Sequence, residues 1–260
     1  MTTGNESELR KTTTVSLSVV DAIDDLNGAR LSEIAEHMDL STSTVYTHLK
    51  TLEDRGYVTK LGHTYQLGLK LFHLGEKARR RDDRYQLAKR KASELAQVTN
   101  EEVNFAVEAD GRCIVLFDET GNPSAEGFQV GRWFYMHNSA SGRAMLAEFP
   151  DERVEGILDQ WGLPKETDST IVDRGELFDE LERIRERGYA VSEQEALEGL
   201  RAVALAVRSP DGSVFGSLDV SGPPYRLPSD GELADLLRPV VRELEAELES
   251  YGATEVGTQP

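Results

Sequence analysis

Between Thr42 and Thr51 the chain reads Thr-Ser-Thr-Val-Tyr-Thr-His-Leu-Lys-Thr, a stretch in which hydroxyl groups outnumber every other functional group. Val45, Leu49 and Leu52 recur at helical spacing, so Ser43, Thr44, Tyr46, Thr47, His48, Lys50 and Thr51 are left to the outer face of one helix. Hydroxyls both donate and accept hydrogen bonds, and small polar donors near the start of a helix suit the edges of bases in a major groove. Bond-making chemistry has no comparable signature. Ser, His and Asp all occur, but no nucleophile elbow, phosphate loop or metal-ligand spacing accompanies them. Cys113 is the single cysteine and the five histidines are scattered, so no disulfide framework, no metal and no cofactor is expected.

The segments around this helix are those that would present it. Leu31, Ile34, Ala35 and Met38 mark a short preceding helix with Ser32 placed to cap it, and Asp39-Leu40-Ser41 forms a tight turn. The second helix can begin at Ser41 or Thr42, whose side-chain oxygens can accept from free backbone N–H groups. Arg55-Gly56 closes it. Tyr57-Val58-Thr59, the turn Leu61-Gly62-His63-Thr64 and Tyr65-Gln66-Leu67 then read as a two-stranded wing with Lys60 and His63 near its tip. Upstream, Leu17, Val20, Ile23 and Leu26 share one face of a supporting helix, and residues 1–11 are polar and expected to be disordered. Helix, turn, helix and wing in this order predict a winged helix-turn-helix that binds double-stranded DNA. Thr42, Ser43, Thr44, Tyr46, Thr47, His48, Lys50, Lys60 and His63 are the expected contacts, and two copies would read a pseudopalindrome. Packing of Tyr46 and His48 against the wing is the alternative for those two residues.

Downstream, Leu71, Leu74, Gly75 and Ala78 lie along one stripe of a linker helix suited to packing on its twin, followed by the basic run Arg79-Arg80-Arg81. Beyond Arg84 the pattern changes: a helix through Leu87 to Leu95, strands at Val103–Val107 and Cys113–Phe117, a Gly-rich loop, and Trp133-Phe134-Tyr135-Met136-His137. Helices at residues 152–160 and 176–187, strands in 189–191, 202–207 and 214–220, and a last helix from Ser229 to about Ser250 complete the chain. This is an α+β organisation with helices flanking a hairpin-rich sheet of the GAF or PAS sort. The expected domains are 1–68 for DNA binding, 69–83 for the linker helix and 84–260 for a GAF-like effector-binding domain.

A net charge of −18 runs against nucleic-acid binding until it is divided along the chain. Residues 1–80 hold 10 Lys and Arg against 11 Asp and Glu, and the remainder holds 19 against 36. Acid excess with few lysines suits a very salty cytoplasm, where net charge keeps a surface solvated although salt screens repulsion. A halophilic source is therefore expected. No apolar run approaches a membrane span and the N-terminus does not read as a signal peptide, so a cytoplasmic protein is expected, with no membrane partner.

Several segments in a fixed order resemble the IclR family of transcriptional regulators over nearly the whole length, in a form suggesting a halophilic archaeon. They are the winged helix-turn-helix, Tyr65-Gln66-Leu67-Gly68, His137-Asn138-Ser139-Ala140-Ser141-Gly142-Arg143-Ala144 with Leu146-Ala147, Arg187-Gly188-Tyr189-Ala190, and Glu195 through Ala204, ending at Ser221-Gly222-Pro223. The resemblance implies a GAF-like effector domain, homodimers that often pair into homotetramers, and control of metabolic, usually catabolic, operons by small organic acids, aromatic acids or sugar derivatives. It places the effector pocket at Ser139, Ala140, Ser192, Ala202, Asp219 and Ser221. A helix opening at Ser139-Ala140-Ser141-Gly142 presents free N–H groups, and Asp219 and Ser221, two apart on a strand, face one side. Asp219 departs from the hydroxyls expected of carboxylate-binding members, and its charge suits a polyhydroxylated ligand, a sugar or sugar acid. Asp219 as a solvent-facing residue, His137 as structural, and Arg143 and Arg201 as loop pins are the alternatives at those positions. The competing function is a small-molecule enzyme with an Asp/Ser pocket and an appended DNA-binding domain.

Overall fold

The computed structural model describes residues 9–121 and 129–256, with side chains to Tyr251. Residues 1–8, most of the Gly-rich loop before Trp133 and residues 257–260 lie outside the described residues. Contacts divide the chain between Arg81 and Asp82 into two units.

The first unit begins with α1 (Lys11–Asp25), β1 (Ala29–Arg30), α2 (Leu31–His37) and α3 (Thr42–Asp54). It continues through β2 (Val58–Leu61), β3 (Thr64–Leu67) and α4 (Leu69–Arg79). Val19, Ile23, Ile34, Val45, Leu49, Val58 and Tyr65 form its core. The buried face of α1 is Val19, Ala22 and Ile23, not the stripe through Leu17, which is 61% exposed. Residues 19, 22, 23 and 26 follow the i, i+3, i+4, i+7 period, so Leu17 lies off that face. The wing sheet has three strands in the order β1-β3-β2, because Ala29 and Arg30 pair with Tyr65 and Thr64. That pairing also overturns Ser32 as a cap. Arg30 is held extended up to the first turn of α2 and occupies the cap position itself, its backbone N–H donating to Glu33 Oε2 at 2.7 Å. After the wing the chain passes Gly68, where a Cβ would lie 2.3 Å from Gly56 O, so no larger residue fits between the wing and the end of α3.

The second unit runs α5 (Tyr85–Thr99), β4 (Glu102–Ala109), β5 (Arg112–Thr120), β6 (Trp133–Tyr135), α6 (Ala140–Ala147), α7 (Asp151–Trp161) and α8 (Arg174–Arg187). It closes with β7 (Ala190–Glu193), β8 (Arg201–Arg208), β9 (Val214–Gly222) and α9 (Asp230–Val256). The strands make one antiparallel sheet in the order β6-β5-β4-β9-β8-β7. Apolar residues leave it on both faces, so the sheet needs helices on both. One face packs Phe105, Leu218 and Val220 against α5 and α9. The other packs Ala106, Val115 and Ala204 against α6, α7 and α8. Among the described residues no helix is long and apolar enough to cross a membrane.

Candidate nucleic-acid interface and distal polar cluster

Ser41 caps α3, accepting from Thr44 N at 3.2 Å, and its Oγ also bonds the Ser43 and Thr44 hydroxyls at 2.9 and 2.8 Å. The capped end therefore carries a knot of three hydroxyls. Burial of Val45, Leu49 and Leu52 fixes the helix rotation, which leaves Thr42, Ser43, Tyr46, Thr47 and Lys50 exposed. The Thr47 hydroxyl donates to Ser43 O at 2.9 Å and Thr44 O at 2.8 Å. With its proton committed to the helix, that oxygen can only accept from a ligand, as from the exocyclic amine of adenine or cytosine.

His48 departs from the expected set. Its Nδ1 lies 2.7 Å from Ser16 Oγ, so the ring is turned onto α1 rather than onto the outer face or the wing. Lys60, Tyr46, Thr42 and His63 meet Arg30, Ser32 and Tyr65 around a groove of about 590 Å³ between the start of α3 and the wing. Lys60 Nζ sits 5.0 Å from the centre of the Tyr65 ring, which holds the ammonium on the wing. Arg30 and Ser32 were missed as contacts, because only the pairing of β1 with β3 brings the end of β1 and the start of α2 to this groove. A further cation acts structurally: Lys70 Nζ donates to Arg55 O at 2.9 Å and covers the Tyr57 ring at 4.4 Å, tying α4 to the end of α3. In the basic run, Arg79 and Arg80 both pair with Glu76, at 2.7 and 3.6 Å. None of the residues of α4 is buried, and Leu69 and Phe72 are 84% and 68% exposed.

In the second unit the sheet register gathers the remaining positions. Ser192 pairs with Ala202, Ala202 with Ser221 and Ser221 with Glu102, one row across four strands. The next row is Ala204, Asp219, Asn104 and Asp118. From α6, Ser139 caps the helix by accepting from Gly142 N at 3.1 Å, and Ser141 Oγ donates to Asp219 Oδ2 at 2.7 Å. Asn104 Nδ2 donates to Asp219 Oδ1 at 3.0 Å and to Ser221 Oγ at 3.1 Å. Ser192 Oγ donates to Asn138 O at 3.3 Å. The structure thus brings Ser139, Ala140, Ser192, Ala202, Asp219 and Ser221 to one face, each buried. Asp219 is not solvent-facing, and its carboxylate already holds two protein donors. A Cβ at Gly142 would lie 2.4 Å from Met136 O, so the α6 terminus is seated on backbone.

Burial, partly offset by the Asn104 and Ser141 donors, pushes the Asp219 carboxyl up to about 7, with Asp118 and Glu102 adding repulsion. Asp118 is raised to about 6 by burial, with repulsion from Glu102 and Glu119. Asn104 Oδ1 and Ser217 Oγ are buried without a partner among the described residues. Asn104 and Asp118 were missed because nothing local marks them, Asn104 lying 115 residues from Asp219, and Ser141 was read only as part of the helix opening and not as a partner of Asp219.

The loop pins are confirmed as such. Arg143, 1% exposed, pairs with Glu195 and donates to His137 O at 2.9 Å and to Val191 O. Arg201 pairs with Asp230 and Glu193. Burial lowers His137 to about 4, so the neutral ring bonds Pro164 O at 3.1 Å.

Comparison with known proteins agrees with both halves. Residues 12–62 match the IclR helix-turn-helix domain, and residues 78–246 match the family described as bacterial transcriptional regulator IclR C-terminal. The probable HTH-type transcriptional regulator ArcR of Halobacterium salinarum is 30% identical over 256 residues, covering 95% of this chain and 97% of its own length. The HTH-type transcriptional regulator KdgR of Dickeya chrysanthemi is 30% identical over 217 residues, 82% of this chain and 71% of its own. The crystal structure of the Thermotoga maritima IclR superposes with a TM-score of 0.71 at 25% identity, covering 91% of this chain and 98% of that one. These relatives are regulators, so the competing reading as an enzyme is set aside. The hydroxyl-bearing helix beside a wing, the sheet of the second unit with its buried polar rows, and the match across both units place the chain in the IclR family of DNA-binding transcriptional regulators.

Proposed function

We propose that this regulator controls a metabolic, catabolic operon, binding a pseudopalindromic operator in paired copies and responding to a polyhydroxylated effector, a sugar or sugar acid. In this reading residues 1–68 bind DNA, 69–83 link, and 84–260 sense the effector. The observation that carries it is the exposed row Thr42, Ser43, Tyr46, Thr47 and Lys50 beside the wing groove with Lys60 and His63. A helix so presented meets base edges with its first two turns, while the wing and Lys50 lie against phosphate. His48 is left out of the contact set, and Arg30 and Ser32 join it.

Effector binding at Ser139, Ala140, Ser192, Ala202, Asp219 and Ser221 is supported by the unpartnered Asn104 and Ser217 oxygens, which a ligand hydroxyl or water would satisfy. A carboxyl titrating near neutrality repels a sugar acid less than a fixed charge does. Because the cluster is closed, entry requires the start of α6 to part from the sheet, and that displacement links occupancy to the arrangement of the DNA-binding units. Footprinting upstream of the protein's own gene and its neighbours, with and without sugar acids, tests the regulator reading. Protection of a symmetric site that changes on adding a sugar acid is expected; protection indifferent to every sugar acid, or changed only by aromatic acids, would reject the effector class. In calorimetry Asp219→Asn should weaken that ligand roughly tenfold, the scale of one hydrogen bond to a charged group.

A further inference from the structure

At the β6 edge of the sheet, Arg112, Arg132, Trp133, Asn138 and Glu166 line a cleft of about 220 Å³, apart from the Asp219 cluster. The Arg112 guanidinium lies 4.4 Å from the centre of the Tyr135 ring, 5.2 Å from Trp161 and 6.0 Å from Trp133. Rings that cover the faces of a guanidinium leave its in-plane N–H groups to be satisfied, and the buried Nε has no partner among the described residues. No acid pairs with Arg112 or Arg132 among the described residues, although Arg143, Arg153, Arg174, Arg187, Arg201 and Arg208 are all paired. In a chain of net charge −18, two guanidiniums without a salt bridge among the described residues outweigh the one carboxylate of the cleft, Glu166, and favour an anion. On the same wall Asn138 is 1% exposed with its Oδ1 unpartnered, an acceptor that calls for a donor on the ligand.

We propose that this cleft binds a small 2-hydroxy acid, its carboxylate bridging to the Arg112 and Arg132 guanidiniums and its hydroxyl donating to Asn138 Oδ1. A planar carboxylate matches the guanidinium fork, and the volume, equal to roughly seven waters at ~30 Å³ each, suits a ligand of that size. The cleft has its own lining and adjoins the effector cluster at Asn138, whose carbonyl accepts from Ser192.

Trp133 and Trp161, the only two tryptophans of the chain, both flank Arg112, so intrinsic fluorescence reports on the cleft. The full chain is titrated with lactate, with propionate lacking the hydroxyl, with propane-1,2-diol lacking the carboxylate, and with inorganic phosphate. Lactate should give a saturable change, propionate should bind roughly tenfold more weakly, and the diol should give none. Arg112→Gln should weaken lactate at least tenfold, and Arg132→Gln, at an exposed position that folding does not depend on, severalfold. A response to lactate no different from that to the diol, phosphate binding tighter than lactate, propionate matching lactate, or unchanged lactate affinity in Arg132→Gln would each overturn the assignment.

Discussion

Burial, with Asp219 2% exposed, outweighs the Asn104 and Ser141 donors and keeps the proton on Asp219 up to about pH 7, against 3.8 for an ordinary aspartate. The folded state therefore binds more protons than the unfolded one between about pH 4 and 7, and stability from this group is lost as pH rises through that window. The shift sets a ceiling of roughly 4 kcal/mol on the effect. His137, lowered to about 4, works in the opposite direction, since its share is lost as pH falls from 6.5. Urea unfolding of the wild type and Asp219→Asn from pH 4.5 to 7.5 separates them, because His137 cancels in the difference. The variant should gain on the wild type steadily toward pH 7.5; a difference flat with pH would show that Asp219 is ionised throughout. The facing of Asp219 with Ser221 was legible from their spacing of two. Its burial and its two donors were not, since Asn104 and Ser141 reach it only through strand pairing and the docking of α6. His48 was read as outward for a similar reason: its partner Ser16 lies 32 residues away.

The elements were legible wherever apolar period and capping residue agreed. In α3 the Val45, Leu49, Leu52 stripe and the Ser41 cap both act as read. Ser41→Ala should cost about 1 kcal/mol in unfolding free energy and weaken DNA binding through the loosened first turn. Unchanged stability would mean that water replaces the cap. By contrast β1 spans two residues, too few for any alternation to register, and with it went the start of α2 and the third strand of the wing. The α6 terminus is held by Arg143, whose ion pair with Glu195 is almost fully buried. Arg143→Met removes the charge but leaves Glu195 and the His137 and Val191 carbonyls without their donor. A loss of roughly 3–5 kcal/mol is expected in chemical denaturation. A loss below 1 kcal/mol would show that the pair is solvated in solution.

Composition carries what neither residue nor element does, because an acid excess acts through the summed field of the chain. Melting temperature should rise as potassium chloride goes from dilute buffer to molar concentrations, where salt relieves repulsion among the 47 acidic residues. Maximal stability in dilute buffer would contradict that. If the proposed paired copies meet through the apolar residues left open on α4, Leu69 and Phe72, then Phe72→Glu should lower the mass to that of a monomer in sedimentation. An unchanged mass would place the dimer contact elsewhere. The charge asymmetry between the units was legible by counting along the chain, whereas on α4 the stripe Leu71, Leu74, Gly75 and Ala78 is left unburied together with Leu69 and Phe72, because helical period alone does not say which side a partner covers. In the proposed function the outer face of α3 is what meets duplex DNA. Fluorescence anisotropy with the footprinted duplex, comparing the wild type with Ser43→Ala/Tyr46→Ala, addresses it directly, since both side chains are exposed and neither holds the core. At least tenfold weaker binding with an unchanged melting curve is expected; equal affinity for the same duplex would show that another surface of the protein meets DNA.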